Sequence, residues 1–213
     1  MVFDLDGVLI DSETVWNDAR RELTQASGGT WSADAQQVMM GMSSVEWSRY
    51  MHDELGVPMA PDEISAAVVS KLEDAYRERL PLIPGAREAV TRLAERLPLG
   101  LASSANPPII ELVLSVAGLA GCFRVTVSSE EVPRGKPAPD VYLEAARRLS
   151  VDPRDCAAVE DSANGLRSAS AAGMKLVAIP NASFPPDPDA LGLADVVLES
   201  IAELGPAVVE RLD

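Results

Sequence analysis

Positive charge is scarce in this chain, and so are histidine, cysteine and aromatic residues. Lysine and arginine number 18 against 33 aspartates and glutamates, a formal charge of −15. A surface of that sign repels nucleic acid and anionic membranes, so neither is expected as a partner. It also repels a phosphorylated metabolite unless a cation and a locally positive site reverse the field. The two cysteines, Cys122 and Cys156, sit among apolar neighbours. They read as reduced core residues of a cytoplasmic protein, not as a disulfide or a metal pair. No stretch approaches the roughly 18 uninterrupted apolar residues of a membrane span. No basic segment followed by an apolar one marks a signal peptide, and without secretion the sequon Asn181-Ala182-Ser183 is idle. Internal repeats and long low-complexity tracts are absent. What is present is an ordinary globular composition, 47% apolar over 213 residues. That is enough for one large domain or a core with a small insert.

The chain is organised around its opening, Val2-Phe3-Asp4-Leu5-Asp6-Gly7. Residues 2–6 read as a short buried strand. Side chains alternate along a strand, so Asp4 and Asp6 would project from its tip into one space. Two adjacent anions are costly unless they share a cation or a proton. The strand starts almost at the first residue, which predicts further residues upstream.

From Ser12 to about Pro81 the texture is helical. Residues 12–26 form one helix. Ser43-x-x-Glu46 is a capping box opening a second, to about Leu55. Pro61 fits the first turn of a third, to about Leu80. All three tryptophans (Trp16, Trp31, Trp47) and the only histidine, His52, lie here, and the tryptophans read as the core of a compact helical insert. Pro84-Gly85 marks a boundary. Beyond it, helical stripes such as Ala86, Ala89, Val90, Leu93 and Leu97 alternate with strands at 99–103, 123–127, 156–159, 175–179 and 195–198. A helix follows at 107–117, after an N-cap at Asn106, and others at 139–149 and 162–172. A proline-rich loop spans 180–188, and a last helix ends the chain. This alternation predicts an α/β fold, a parallel sheet with helices on both faces. Ligands then bind at the carboxyl ends of the strands.

Those ends carry Asp4 and Asp6, then Ser103 and Ser104, then Ser128 to Glu131 followed by Gly135-Lys136-Pro137, then Glu160 and Asp161. Carboxylates, hydroxyls and one ammonium are the inventory of a magnesium-assisted phosphoryl-transfer site. Mg²⁺ prefers oxygen ligands, one or two carboxylates plus water and phosphate. Asp4 and Asp161 can supply the carboxylates, with Glu160 close by and the backbone carbonyl of Asp6 as a further ligand. Ser103, Lys136 and turn amides near Asp6 can hold phosphoryl oxygens. Facing the metal, Asp4 stays ionised and attacks phosphorus. Asp6, further away, holds a proton for the leaving oxygen.

Four ordered stretches resemble the haloacid dehalogenase superfamily, and within it the β-phosphoglucomutase-like phosphatases with a helical cap. They are Asp4-Leu-Asp6-Gly-Val-Leu-Ile-Asp11-Ser-Glu, Leu-Ala-Ser103-Ser-Ala-Asn106, Gly135-Lys136-Pro-Ala-Pro-Asp140 and Val-Glu160-Asp161-Ser-Ala-Asn164-Gly. The resemblance covers essentially the whole chain. It implies a Rossmann-like core at 1–11 and 82–213 and a cap domain at 12–81 that closes over the site. It implies Asp4 as nucleophile, Asp6 as general acid and base, Ser103 and Lys136 as phosphoryl ligands, and Glu160 and Asp161 completing the Mg²⁺ site. Asn106 resembles a contact near phosphate or substrate, besides being a helix cap. Asp140 and Asn164 brace loops. The turn Gly41-Met42-Ser43-Ser44 resembles a cap loop that reaches the site, or else simply joins two helices.

Within the family, dehalogenases lack the second aspartate, so Asp6 argues against them. Sugar phosphomutases of this type carry a histidine and an arginine where this chain has Trp16 and Ser44, which favours hydrolysis. Arg49 and Lys71 keep the mutase open as an alternative. Glu13 and Trp16 resemble the opening of sugar-phosphate phosphatases. The expected function is Mg²⁺-dependent hydrolysis of a small phosphorylated metabolite, with a silent binding module as the third reading. A monomer or weak homo-oligomer is expected.

Overall fold

The computed structural model describes residues 1–213 except Gly41, Ser183 and Asp213. One residue of the predicted cap-loop turn at 41–44 and one of the sequon thus lie outside the described residues. In chain order the elements are β1 (Val2–Phe3), α1 (Glu13–Ala26), α2 (Ala35–Met39), α3 (Ser44–Asp53), α4 (Pro61–Glu78), α5 (Ala86–Ala94), β2 (Leu99–Ser103), α6 (Pro107–Val116), β3 (Phe123–Ser128), α7 (Asp140–Leu149), β4 (Ala157–Glu160), α8 (Ala163–Ala171), β5 (Lys175–Ala178), α9 (Pro188–Leu191), β6 (Val196–Val197) and α10 (Pro206–Val209).

The six strands form one sheet in the order β3-β2-β1-β4-β5-β6, with every neighbouring pair parallel. The order reverses at β1, which lies between β2 and β4. The crevice beyond the tips of β1 and β4 is therefore the switch point at which ligands bind in such sheets. Period-two alternation sends Phe3, Leu101, Val159 and Val177 into the apolar layer on one face. It sends Val2, Ala102, Ala158 and Leu176 into the layer on the other. On the first face, α5 and α6 contribute stripes that include Ala89, Val90, Leu93, Ile110 and Val113. On the second, Tyr142, Ala145 and Ala146 of α7 and Leu166 and Ala169 of α8 do the same. Cys122 and Cys156 are both free thiols.

The segment from α1 to α4 contains no strand among its described residues. Its helices are amphipathic, and α4 buries Ile64, Val68, Leu72 and Tyr76, one residue per turn. At the predicted box, the Glu46 carboxylate accepts from the Ser43 amide at 2.8 Å, and at the start of α4 the Glu63 carboxylate likewise accepts from the Ala60 amide at 3.0 Å. The α4 stripe of Ile64, Val68, Leu72 and Tyr76 belongs to the same apolar cluster as α5, α6 and one sheet face, so the helical segment is anchored on the sheet. No helix among the described residues is long and apolar enough to cross a membrane.

β1 is shorter than the strand expected at 2–6. The Asp4 amide still donates to Val159 O at 3.0 Å, but the Leu5 carbonyl then turns to accept from Leu9 at 2.9 Å and Ile10 at 3.2 Å. A local loop takes the bonds that a strand partner would need. Asp4 is thus aimed by the sheet and Asp6 by a loop, not both by strand alternation. The short helices α2 and α9 fall where no periodic signal is long enough to read, while α10 is the last helix expected after the final strand.

Phe3 is fully buried and meets Phe123 edge-on, with ring centroids 5.9 Å apart. Phe3→Ala is expected to cost about 3–5 kcal/mol, seen as a lower midpoint in urea denaturation. An unchanged midpoint would show that β1 is not the packed centre of the sheet.

Candidate active site

The site assembles where the strands end. Asp4 extends β1, Glu160 ends β4 and Asp161 follows it. All three are buried, and one carboxylate oxygen from each lies within 4.8 Å of the others. Lys136 comes from the loop before α7. Its ammonium donates to Asp4 Oδ1 at 2.7 Å, Glu160 Oε1 at 2.6 Å and Ala102 O at 3.1 Å. An ammonium has three donors, and all three are engaged. Two of them meet carboxylates and one a carbonyl, while Asp161 feels the Lys136 charge without such a bond among the described residues.

Glu160 is held from the other side as well. Tyr142 Oη donates to Oε1 at 2.7 Å. The Asp161 amide and the Ser162 hydroxyl reach Oε2 at 3.1 Å and 3.2 Å. The Ser162 hydroxyl also accepts from the Gly165 amide at 3.1 Å, so Glu160 is fixed against the N-terminal turn of α8, where negative charge is favoured. A Cβ at Gly165 would fall 1.9 Å from Glu160 Oε1, so the carboxylate occupies space that a side chain would take. Gly7 has the same role on the other acid. Its φ is +81°, and a Cβ there would lie 1.9 Å from Asp161 Oδ2.

Asp6 stands apart from this cluster. Its Oδ1 accepts from Ser12 Oγ at 2.5 Å and Trp16 Nε1 at 3.2 Å. Ser12 precedes α1 without making a side-chain cap bond to it, because its hydroxyl is turned to Asp6. Both donors meet one oxygen of Asp6, and the other has no such bond among the described residues.

The electrostatics follow from the packing. Burial pushes the Asp4 carboxyl up to about 8, with Lys136 opposing and Glu160 and Asp6 adding to the rise. Burial also raises Asp161, reinforced by Glu160 and Asp4. Burial raises Asp6 too, against the pull of Ser12 and Trp16. It works against the Lys136 ammonium as well, yet Asp4 and Glu160 overcome it and hold that pKa above the usual lysine value. Three carboxylates against one ammonium leave two negative charges over when all are ionised. A divalent cation closes that balance, and an all-oxygen donor set suits a hard ion. The residues therefore fit a divalent metal.

The other sequence-predicted residues are placed as follows. Ser103 is fully buried at the end of β2, and its hydroxyl accepts from the Ala105 amide at 3.0 Å. Ser104 and Ala105 line the cavity that contains Asp4, Asp6, Lys136 and Asp161. Asn106 takes the N-cap position of α6 without a side-chain cap bond. It lines a neighbouring cavity with Arg49 and Ser44, and its buried Oδ1 has no hydrogen-bond partner. Asp140 pairs with Arg134 at 2.9 Å in the loop before α7, while Asn164 is on the wall of the Asp4 cavity.

That cavity measures about 560 Å³ and is roofed by residues of the helical segment, among them Glu13, Trp16, Arg20 and Trp47. Trp16 and Trp47 read from the sequence as core of the helical insert. They are buried and line the cavity, meeting edge-on with centroids 6.0 Å apart. Sequence reasoning missed Arg20. Its guanidinium lies 4.6 Å from the Trp16 ring centroid and 5.0 Å from that of Trp47. Burial lowers its pKa to about 10, which leaves it charged at neutral pH. The signal was available: Arg20 follows Trp16 by one turn on the apolar face of α1, beside Ala19 and Leu23.

With this geometry in place, the sequence can be compared with known proteins. Residues 1–173 match the haloacid dehalogenase-like hydrolases. The chain belongs to that family. It is 36% identical over 209 residues to hexitol phosphatase B of Escherichia coli K12, covering 95% of this chain and 92% of that one. It is 34% identical over 206 residues to the bifunctional riboflavin kinase/FMN phosphatase of Arabidopsis thaliana. There the match covers 96% of this chain but only 54% of the plant protein, so the chain spans about half that relative's length. Among solved structures, CbbY from Rhodobacter sphaeroides in complex with phosphate superposes with a TM-score of 0.86 at 27% identity. That match covers 98% of this chain and 97% of the other. The chain is a hydrolase of this family, with the family's α/β fold.

The raised carboxyl values have a consequence for stability. Below the ordinary carboxylate pKa, near 4, both folded and unfolded chains hold these protons. As pH rises towards about 8, the Asp4 value, the unfolded chain has released protons that the folded one still keeps. Stability from these groups is then lost with rising pH. A divalent cation bound among the ionised acids opposes that loss. The rise in melting temperature on exchanging EDTA for a divalent cation is therefore expected to be larger at pH 8 than at pH 5. Equal rises at the two pH values would count against metal binding by this cluster.

Proposed function

We propose that this hydrolase is a Mg²⁺-dependent phosphatase that removes the phosphoryl group from a small phosphorylated sugar or related metabolite through an aspartyl-phosphate. The carrying observation is the buried trio Asp4, Glu160 and Asp161 with a single balancing ammonium. Asp6 stands beside it, held by one oxygen. The phosphatase names of the relatives support the same reading.

On this reading a carboxylate oxygen of Asp4 attacks phosphorus, a P–O bond forms and the bond to the substrate oxygen breaks. Asp6 gives its proton to that leaving oxygen. Water then attacks the phosphorus. Asp6 takes a proton from it, the Asp4–phosphorus bond breaks, and inorganic phosphate leaves. Lys136 neutralises Asp4 and orients it by the bond to Oδ1, and Ser103 donates its remaining O–H to a phosphoryl oxygen. Glu160 and Asp161, with Asp4 and the Asp6 carbonyl, hold Mg²⁺. When bound, the metal supplies positive charge for the transferring phosphoryl group. Asn106 serves as a substrate-side contact from the adjoining wall. Residues 1–11 and 82–213 act as the core domain and residues 12–81 as a cap that shields the reaction from water.

The test is phosphate release from a panel of small phosphomonoesters with Mg²⁺, with EDTA, and in two variants. Release from one or a few sugar phosphates is expected, lost with EDTA and lowered at least 1,000-fold in Asp4→Asn, with the circular dichroism spectrum unchanged. Asp6→Asn is expected to lower turnover about 100- to 10,000-fold, the range for a positioned acid–base group. Wild-type rates in Asp4→Asn would end this reading. Isomer conversion of a sugar phosphate without phosphate release would replace it with a mutase.

A further inference from the structure

Arg20 is unlike the other arginines of this chain. It is 5% exposed, its Nε has no hydrogen-bond partner, and no ion pair to it occurs among the described residues. It lines the cavity that also contains Asp4, Asp6 and Lys136. The acids whose charge acts on it, Glu13 and Asp6, have their hydrogen bonds elsewhere. Asp6 accepts from Ser12 and Trp16. The Glu13 carboxylate accepts from Gln36 Nε2 at 2.6 Å.

The two indoles each offer a cation–π contact, which offsets the cost of withdrawing the ion from water. Such contacts answer the charge and not the N–H donors, and Nε stays without a hydrogen-bond partner. The aromatic clamp also fixes the guanidinium, so its donors meet the cavity in one orientation. A planar fork fixed in this way suits bidentate pairing with a carboxylate or phosphate. The position matters too. Trp16 bonds Asp6 through Nε1 and carries Arg20 on its ring, so a single indole separates the guanidinium from the general acid. A group on Arg20 would thus belong to the part of a ligand just beyond the leaving oxygen.

We infer that Arg20 is an anion subsite, and that the substrate carries a second negative group, a carboxylate or a phosphate, on the fragment released from the phosphoryl group. This rests on the phosphatase reading for the assignment of the two ends of the ligand. The cavity then has a cationic group at each end within an acidic protein: Lys136 among the carboxylates at one, and Arg20 at the other. Neutral polyol phosphates would fill the same space with the guanidinium left unpaired.

Matched ligands test this directly. Glycerol 3-phosphate and 3-phosphoglycerate differ by a hydroxymethyl against a carboxylate, as do glucitol 6-phosphate and 6-phosphogluconate. Glucitol 1,6-bisphosphate gives the phosphate arm. Each is titrated calorimetrically, with Mg²⁺, into the Asp4→Asn protein, where turnover is blocked. The anionic member of at least one pair, or the bisphosphate, is expected to bind about 10- to 100-fold tighter than its neutral counterpart, the size of a charge-assisted pair. The better of the two anionic arms names the group. Arg20→Met is expected to bring the ratio to within about threefold, and Arg20→Lys to keep part of it. Equal binding within every pair, or no binding by any of the five, overturns the inference, as does a ratio that survives Arg20→Met. If Arg20→Met does not fold, the ratios in the unsubstituted site decide alone. Phosphate release is followed in parallel with the wild-type protein. A chain that shows the binding preference but releases no phosphate would refute the phosphatase reading and leave the subsite standing.

Discussion

Everything at the strand tips depends on the Lys136 ammonium. It joins the tips of β1, β2 and β4 through Asp4, Ala102 and Glu160, three strands whose order puts the switch point in their midst. Truncating such a lysine would remove more than one contact, because each carboxylate left behind would be a buried and uncompensated charge. Those acids would then take up protons in place of the lost cation, and a protonated Asp4 could not make the attack proposed for it. The same ammonium therefore holds the sheet's end together and opposes the rise that burial imposes on the Asp4 carboxyl. It does so imperfectly by design of the count: one positive charge among three negatives leaves a vacancy of charge that suits a divalent ion.

Much of this was legible in the residues. The alternation of apolar strands with striped helices after Pro84-Gly85 gave the sheet, and parallel sheets bring strand ends to one edge whatever their order in the sequence. That is why Asp4, Ser103, Lys136 and Glu160 could be grouped before any coordinates. The aim of each side chain was less legible. Asp6 looked like the second acid of a strand, but the Leu5 carbonyl turns the chain before it, and Ser12 and Trp16 decide where it points. Ser103 looked like an open hydroxyl, whereas the turn to Ala105 occupies its acceptor side. Such details depend on competition for backbone hydrogen bonds over a few residues, which composition and spacing do not resolve. Arg20 was obscured for a different reason. On an apolar stripe a charged residue reads as an interruption, and only the meeting of α1 with α3 shows two indoles closing around it.

The helical segment also divides labour in a way the sheet does not. Chemistry on the sheet side is fixed by Gly7 and Gly165, where the absence of a Cβ lets Asp161 and Glu160 lie against the backbone. The helical side is set by bulk, with Trp16 and Trp47 fixing where the Arg20 guanidinium lies. Small residues set close approach at one wall of the cavity and large ones limit motion at the other. Substitutions on the two sides should therefore be felt differently, the first as a displaced acid and the second as a loosened clamp.

Trp16 belongs to both walls, since its ring nitrogen touches the acid and its face touches the guanidinium. Indole emission responds to nearby charge, so this residue is a native optical reporter placed between the two ends of the pocket. Of the three tryptophans, Trp16 and Trp47 line the pocket, and Trp31 packs elsewhere as a partly buried residue. Two of the chain's three tryptophans thus lie at the site itself, where a change in their emission would follow occupancy in the unlabelled protein, without a dye or a coupled enzyme.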